Sequence, residues 1–341
     1  MSPRALTFAA GNAARVARYA LSRGVELAAD AAPKPADALA RVTTQQMFAL
    51  WANMARALNS PALPFDLAHR SQLEHLDVLG LALVTAPTFL DTLRTFVRCG
   101  ALLNESGSWE LSVQSASVQL AWLGVDAPTL GVRLSRETSF AQTVQGARQL
   151  CGADVDPVRV SFRHRAPASI AAHREFFRCP VEFEASSDRI IFSRELSQAV
   201  PPAANPFVWA HLCAQADAQL AHLGPRSLRQ RVSEELARGL LRGAALEMTD
   251  IAPALGCSER TLRRALAAEG TSFRALLDEL RRERAEVLLE RGNLSVSQAA
   301  FEAGFSDASA FTHACQRWFG SAPRSLARRS SSRAAAGGSQ R

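Results

Sequence analysis

Three arginines, Arg260, Arg263 and Arg264, follow closely on the turn-like run Gly256-Cys-Ser258. A guanidinium is a planar fork of donors: on one rotamer it grips a phosphate, and on another it donates to both O6 and N7 of a guanine. These arginines belong to the segment Ala252-Pro-Ala-Leu-Gly-Cys-Ser-Glu-Arg-Thr-Leu-Arg-Arg-Ala-Leu266, which has a counterpart in Ala300-Phe-Glu-Ala-Gly-Phe-Ser-Asp-Ala-Ser-Ala-Phe-Thr-His-Ala314. The glycines Gly256 and Gly304 lie 48 residues apart. The counterpart offers Ala308, Ser309, Ala310 and His313, with Arg317 beyond. Such a surface suits shape fit and phosphate contact better than base discrimination.

These residues must be held by helix-turn-helix units. In each segment the glycine can take positive φ, and Ser258 or Ser306, two residues on, is expected to cap the second helix. Ala252 and Ala300 are small enough for the paired helices to cross closely. Leu262 with Leu266, and Phe311 with Cys315, sit four apart on the side predicted to be buried, which turns the polar residues outward. Pro253 falls early in a helix and is tolerable there if Asp250 is its cap. Between the units, Ser272 to Glu290 predicts a long amphipathic helix with an apolar stripe of Phe273, Leu276, Leu277, Leu280, Leu288 and Leu289. At about 1.5 Å per residue it could hold the recognition helices roughly one DNA turn, about 34 Å, apart, for double-stranded DNA in two successive major grooves. Trp318 and Phe319 are expected core anchors, with Gly320 ending their helix.

Charge supports a polyanionic partner. From residue 225 to 341 the chain holds 19 Arg, no Lys and 13 Asp+Glu, so this third carries +6 of the net +7. That asymmetry creates long-range attraction for nucleic acid. The 48% hydrophobic fraction is that of a globular protein. Arg4, Gly11, Asn12 and Arg15 interrupt the N-terminus before a signal peptide or membrane span could form, so a cytoplasmic location and no membrane partner are expected. The cysteines, Cys99, Cys151, Cys179, Cys213, Cys257 and Cys315, never fall at C-x-x-C spacing, so reduced structural thiols are expected, without metal or cofactor.

The predicted organisation is an α+β sensor and dimerisation domain over 1–224, an all-α domain with two helix-turn-helix units joined by a long helix over 225–329, and a disordered basic tail over 330–341. Residues from Phe8 to about Leu150 read as mainly helical, for example Gln45 to Leu58 and Pro87 to Leu103. Strands are expected at Val158–Phe162, Val181–Glu184 and Arg189–Phe192, followed by a helix to about Leu223 and a junction at Gly224-Pro225.

Over about 228–329 the chain resembles the DNA-binding domain of AraC/XylS-type regulators. The motifs are Leu-Gly-x-Ser-x-Arg-x-Leu-x-Arg, Gly-Thr-Ser-Phe, Arg-x-x-Arg-Ala, Ala-Gly-Phe-Ser and Arg-Trp-Phe-Gly-x-x-Pro. The resemblance implies base or phosphate contacts for Arg260, Arg263 and Arg264, and for Ser309 and His313 in the second unit. Ala299, His313 and Cys315 depart from the larger aliphatic, Arg and Phe usual in the family. Residues 79–93, 158–167 and 176–183 resemble the arabinose-binding-like N-terminal domain, which implies small-molecule sensing, self-association, or both.

The effector itself is not legible. His164 between Arg163 and Arg165 could bind an anion, although a charge run on a strand edge is more often solvated. His69 and His75 read as surface histidines, and Phe176, Phe177 and Trp122 as core. A homodimer would match repeated half-sites, and RNA polymerase is a further candidate partner. An enzyme finds no support, since the nucleophile-elbow, phosphate-loop and zinc-protease signatures are missing. A pure protein-interaction module would leave the duplicated unit and the arginines unexplained.

Overall fold

The computed structural model describes residues 7–25, 41–124, 129–223, 228–241, 246–291 and 294–326. The expected junction at Gly224-Pro225 and the basic tail lie outside these residues.

The N-terminal region is mixed α and β. Its elements are β1 (Thr7–Ala9), α1 (Ala10–Ser22), β2 (Arg41–Thr43), α2 (Thr44–Leu58), α3 (Leu63–His69), α4 (Asp77–Thr85), α5 (Phe89–Cys99), β3 (Gly107–Val113), β4 (Ser117–Gly124), α6 (Leu130–Cys151), β5 (Arg159–Ser161), α7 (Ala171–Phe177), β6 (Val181–Glu182), β7 (Arg189–Ser193) and α8 (Pro206–His222). β1 and β2 pair antiparallel, and a five-stranded sheet runs β3-β4-β7-β5-β6, antiparallel except for β5 with β6. Helix α6 lies on this sheet: Phe140, Ala141, Val144 and Leu150 share a buried cluster with Val118, Leu120, Val160, Ile190 and Phe192.

Helices fill most of the described residues up to Leu150, as expected, but four strands the sequence reading did not name, β1 to β4, fall within the same stretch. Val118 and Leu120 alternate with polar neighbours as a half-buried strand should. The following Ala121, Trp122 and Leu123 are all buried, so the end of β4 is covered on both faces and loses the period-two signature. Pro87 to Leu103 also proves shorter, as α5 stops at Cys99 and a 3₁₀ turn follows.

The C-terminal region is helical: α9 (Leu228–Leu241), α10 (Met248–Ala254), α11 (Glu259–Ala268), α12 (Phe273–Arg291), α13 (Val296–Glu302) and α14 (Ala308–Phe319). It has two cores and α12 serves both. Phe273 and Leu276 pack with Val232, Leu236, Ile251, Leu262 and Leu266. One helical stretch later, Ala285, Leu288 and Leu289 pack with Ala299, Ala300, Phe311 and Cys315. Trp318 and Phe319 lie half-buried against this second core.

The regions touch. Arg284 of α12 is buried and donates to the Glu302 carboxylate (3.2 Å) and to the Ser186 carbonyl (3.5 Å), beside β7. Arg238 of α9 lies 3.6 Å from Glu110 of β3.

Candidate nucleic-acid interface

Each pair α10–α11 and α13–α14 is a helix-turn-helix. Gly256 and Gly304 turn the chain with φ of +71° and +79°, a region closed to most side chains. Ala252 and Ala300 are buried at the crossings. Pro253 is the sixth residue of α10, not part of its first turn; the N-cap position is Glu247 and Asp250 lies within the first turn. The proline therefore lacks an N–H that would bond back to Thr249, and the helix ends one residue later.

The two turns differ in length. In the first, the Ser258 hydroxyl accepts from the Thr261 N–H at 3.2 Å and α11 begins at Glu259. In the second the cap is Asp307, not Ser306: its carboxylate accepts from the Ala310 N–H at 2.8 Å, and α14 begins at Ala308. Backbone N–H groups of Ala310 and Ser309 hold the Asp307 carboxyl below its ordinary value. The glycines are 48 residues apart, yet Leu262 matches Phe311 and Leu266 matches Cys315 at 49, all fully buried. By the same offset Arg260 corresponds to Ser309 and Arg264 to His313. Phe305 corresponds to Cys257, each N–H donating five residues back to Ala300 or Ala252, so the additional residue is Ser306, just before the cap; Phe305 packs edge-on against Phe311 and Trp318. Replacing Asp307 with Ala should lower the midpoint of thermal unfolding, whereas Ser306→Ala should leave it unchanged; differential scanning calorimetry of the two variants separates the caps.

On the outer face of α11, Arg260, Arg263 and Arg264 are exposed. Arg263 leans toward Glu259 at 3.8 Å and toward the Met248 sulfur. Among the described residues no carboxylate lies within ion-pair distance of Arg260 or Arg264. Ser309 and His313 are exposed on α14. Arg317 is exposed but engaged: it pairs with Asp278 of α12 at 2.5 Å, and Trp318 Nε1 donates to the same carboxylate at 2.8 Å. These two contacts link α14 to α12.

Burial pushes the thiols of Cys99, Cys151 and Cys179 up to about 11 and that of Cys315 to about 12, the reverse of an activated nucleophile. Among the described residues no cluster of His, Cys, Asp or Glu could hold a metal ion, and no helix is long and apolar enough to cross a membrane.

The run Arg163-His164-Arg165 is not a solvated edge. Arg163 is buried, its N–H donating to Asp188 at 2.7 Å, and His164 faces inward. His164 and His173 place their Nε2 atoms 3.4 and 3.3 Å from Glu137 Oε1, among Phe65, Phe162 and Phe183. His173 and Glu137 escaped the sequence reading, since a lone Glu on a helix carries no sign of burial. His69 and His75 are exposed, and Phe176 and Phe177 lie in the core.

Burial lowers the pKa of His164 despite Glu137. Burial alone would raise that of Glu137, but the His173 hydrogen bond and the charges of His164, His173 and Arg133 outweigh it and hold the carboxyl low. Both groups make acid destabilising. Below the unfolded imidazole value of 6.5 the unfolded chain takes up a proton that buried His164 refuses. Below the unfolded carboxyl value of 4.5 the same holds for Glu137, and its contribution is lost as pH falls through the folded value. Urea unfolding across this range should show two successive losses of stability, and His164→Gln should remove the upper one.

The family model described as the arabinose-binding domain of AraC transcription regulators matches residues 5–199, and a helix-turn-helix domain model matches residues 251–329. An uncharacterized HTH-type transcriptional regulator of Mycobacterium bovis is 30% identical over 291 residues, 81% of each chain. The ornithine utilization regulator of Pseudomonas aeruginosa is 27% identical over 274 residues, 79% of each chain. The crystal structure of the transcriptional regulator CdpR from Pseudomonas aeruginosa aligns over 92% of this chain and 96% of its own, at 23% identity and a TM-score of 0.47. A mixed N-terminal region matched by the first model, joined to a pair of helix-turn-helix units matched by the second, places this chain in the AraC family of DNA-binding transcription regulators, which are not enzymes.

Proposed function

We propose that this regulator reads a specific DNA sequence through two successive major grooves and that a small molecule bound in its N-terminal region modulates the reading. The observation that carries the DNA interface is the outer face of α11, where Arg260 and Arg264 stand exposed without a carboxylate partner among the described residues. They are the first unit's base-edge contacts, and Arg263, partly occupied by Glu259, is a phosphate contact. Ser309 and His313 do the corresponding work in the second unit. Effector modulation is supported by the family model's ligand-binding description and by a cavity in the matched region. In this reading residues 1–224 sense the effector and dimerise, residues 225–329 bind DNA, and residues 330–341 add basic charge. The protein acts in the cytoplasm as a homodimer. Contact with RNA polymerase would make it an activator, and occlusion of a promoter a repressor.

The test is binding-site selection with the full chain, followed by footprinting at low and high salt. A recurrent motif across two adjacent major grooves, with affinity falling steeply as salt rises, is the expected result. Folded protein that selects no motif, or whose binding ignores salt, would overturn the reading.

A further inference from the structure

The N-terminal region encloses a cavity of about 390 Å³, bounded by α1, α2, α5, α6 and the β3–β4 hairpin. That volume suits a small organic ligand. Its walls are largely apolar, with Phe89, Leu93, Phe96, Trp109 and Trp122 among them.

Polar groups interrupt this lining without partners of their own. Trp51, Trp122 and Thr138 line the cavity and are 2%, 4% and 4% exposed. Among the described residues neither indole Nε1 nor the Thr138 hydroxyl has a hydrogen-bond partner. An indole N–H can only donate, so it calls for an acceptor, and a buried donor left unmade is costly. Arg15 of α1 is half-buried on the same cavity. Its guanidinium donates to the His75 carbonyl at 3.0 Å and to the Asn12 side-chain oxygen, both uncharged. Arg18 and Arg70 also line the cavity. Burial and the neighbouring Arg18 lower the pKa of Arg15, as expected for a cation kept without a counter-charge.

We propose that this cavity is the effector site and that its ligand is an amphipathic carboxylate, with the acid group on Arg15, the apolar body along Phe89, Leu93 and Phe96, and acceptor atoms toward the indole and hydroxyl donors. The inference rests on reading the N-terminal region as effector-binding, and it departs from the sugar in the family model's description. A free pentose carries a hydroxyl on nearly every carbon, and those facing the wall of Phe89, Leu93 and Phe96 would meet no hydrogen-bonding side chain there. A carboxylate with an apolar body leaves few polar groups to satisfy and supplies the charge that Arg15 lacks.

The test uses the full chain, with tryptophan fluorescence reporting the site and DNA affinity measured in parallel. The probes are sodium octanoate, 1-octanol and L-arabinose. Octanoate should give a saturable change, weakened roughly tenfold or more in Arg15→Gln and partly restored in Arg15→Lys. Octanol should bind wild type and Arg15→Gln alike. Should Arg15→Gln not fold, Ser139→Phe, on the cavity wall, should abolish octanoate binding. Saturation by arabinose without octanoate, octanoate binding equal in wild type and Arg15→Gln, or retention in Ser139→Phe would each overturn the carboxylate site. Octanoate binding that leaves DNA affinity unchanged would support the site and overturn its regulatory role alone.

Discussion

Full-length Arg264→Ala should bind its selected DNA roughly ten- to hundredfold more weakly than wild type, and preference at one base position should relax. The magnitude is that of one bidentate guanidinium–guanine contact, and among the described residues Arg264 has no carboxylate partner to compete for it. Arg260→Ala should behave alike, four residues, about one helical turn, nearer the start of α11. Arg263→Ala should cost less, because Glu259 already draws on that charge, and its loss should be uniform across sequences, as for a phosphate contact. Fluorescence anisotropy against the selected site and single-base variants measures all three. Unchanged affinity in folded Arg260→Ala and Arg264→Ala would remove α11 from the interface.

Asp188→Ala should destabilise the N-terminal region by about 3–5 kcal/mol, the range for removing one member of a buried ion pair. Asp188 is buried, pairs with Arg136 of α6 at 2.5 Å, and accepts the Arg163 N–H at 2.7 Å. Arg136 in turn lies over the Trp122 ring at 4.5 Å. Removing the carboxylate takes a close counter-charge from the buried Arg136 guanidinium and an acceptor from the backbone N–H of Arg163, two residues past β5. The comparison is Glu182→Ala, which breaks the half-exposed pair with Arg159 at 2.5 Å and should cost at most about 1 kcal/mol. Denaturant midpoints of the two variants decide it. Equal losses would mean that Asp188 is replaced by solvent rather than uncompensated.

Much of the C-terminal region was legible because its determinants are local. The glycine turns, the Leu262 and Leu266 stripe and the long helix at 273–291 each depend on residues within a few turns of one another. Where two local signals competed, the reading slipped by one residue. Ser306 and Asp307 are both good caps, and the choice fell to Asp307 once Phe305 was drawn into the core with Phe311 and Trp318. The N-terminal region was less legible because its determinants are distant. The buried end of β4 shows no alternation. Glu137 acquires its meaning from His164 and His173, and the Arg163 run is turned inward by Asp188. The cavity gathers residues from Phe8 to Leu150, and no window of sequence displays that arrangement.

A helix that completes two cores also fixes a phase. One residue added to α12 between Leu280 and Ala285 would advance everything beyond it by about 1.5 Å and rotate it by roughly 100°. The apolar stripe of Leu288 and Leu289 would then swing off the core of the second unit. A helix shared in this way tolerates a change of length only in steps close to a whole turn.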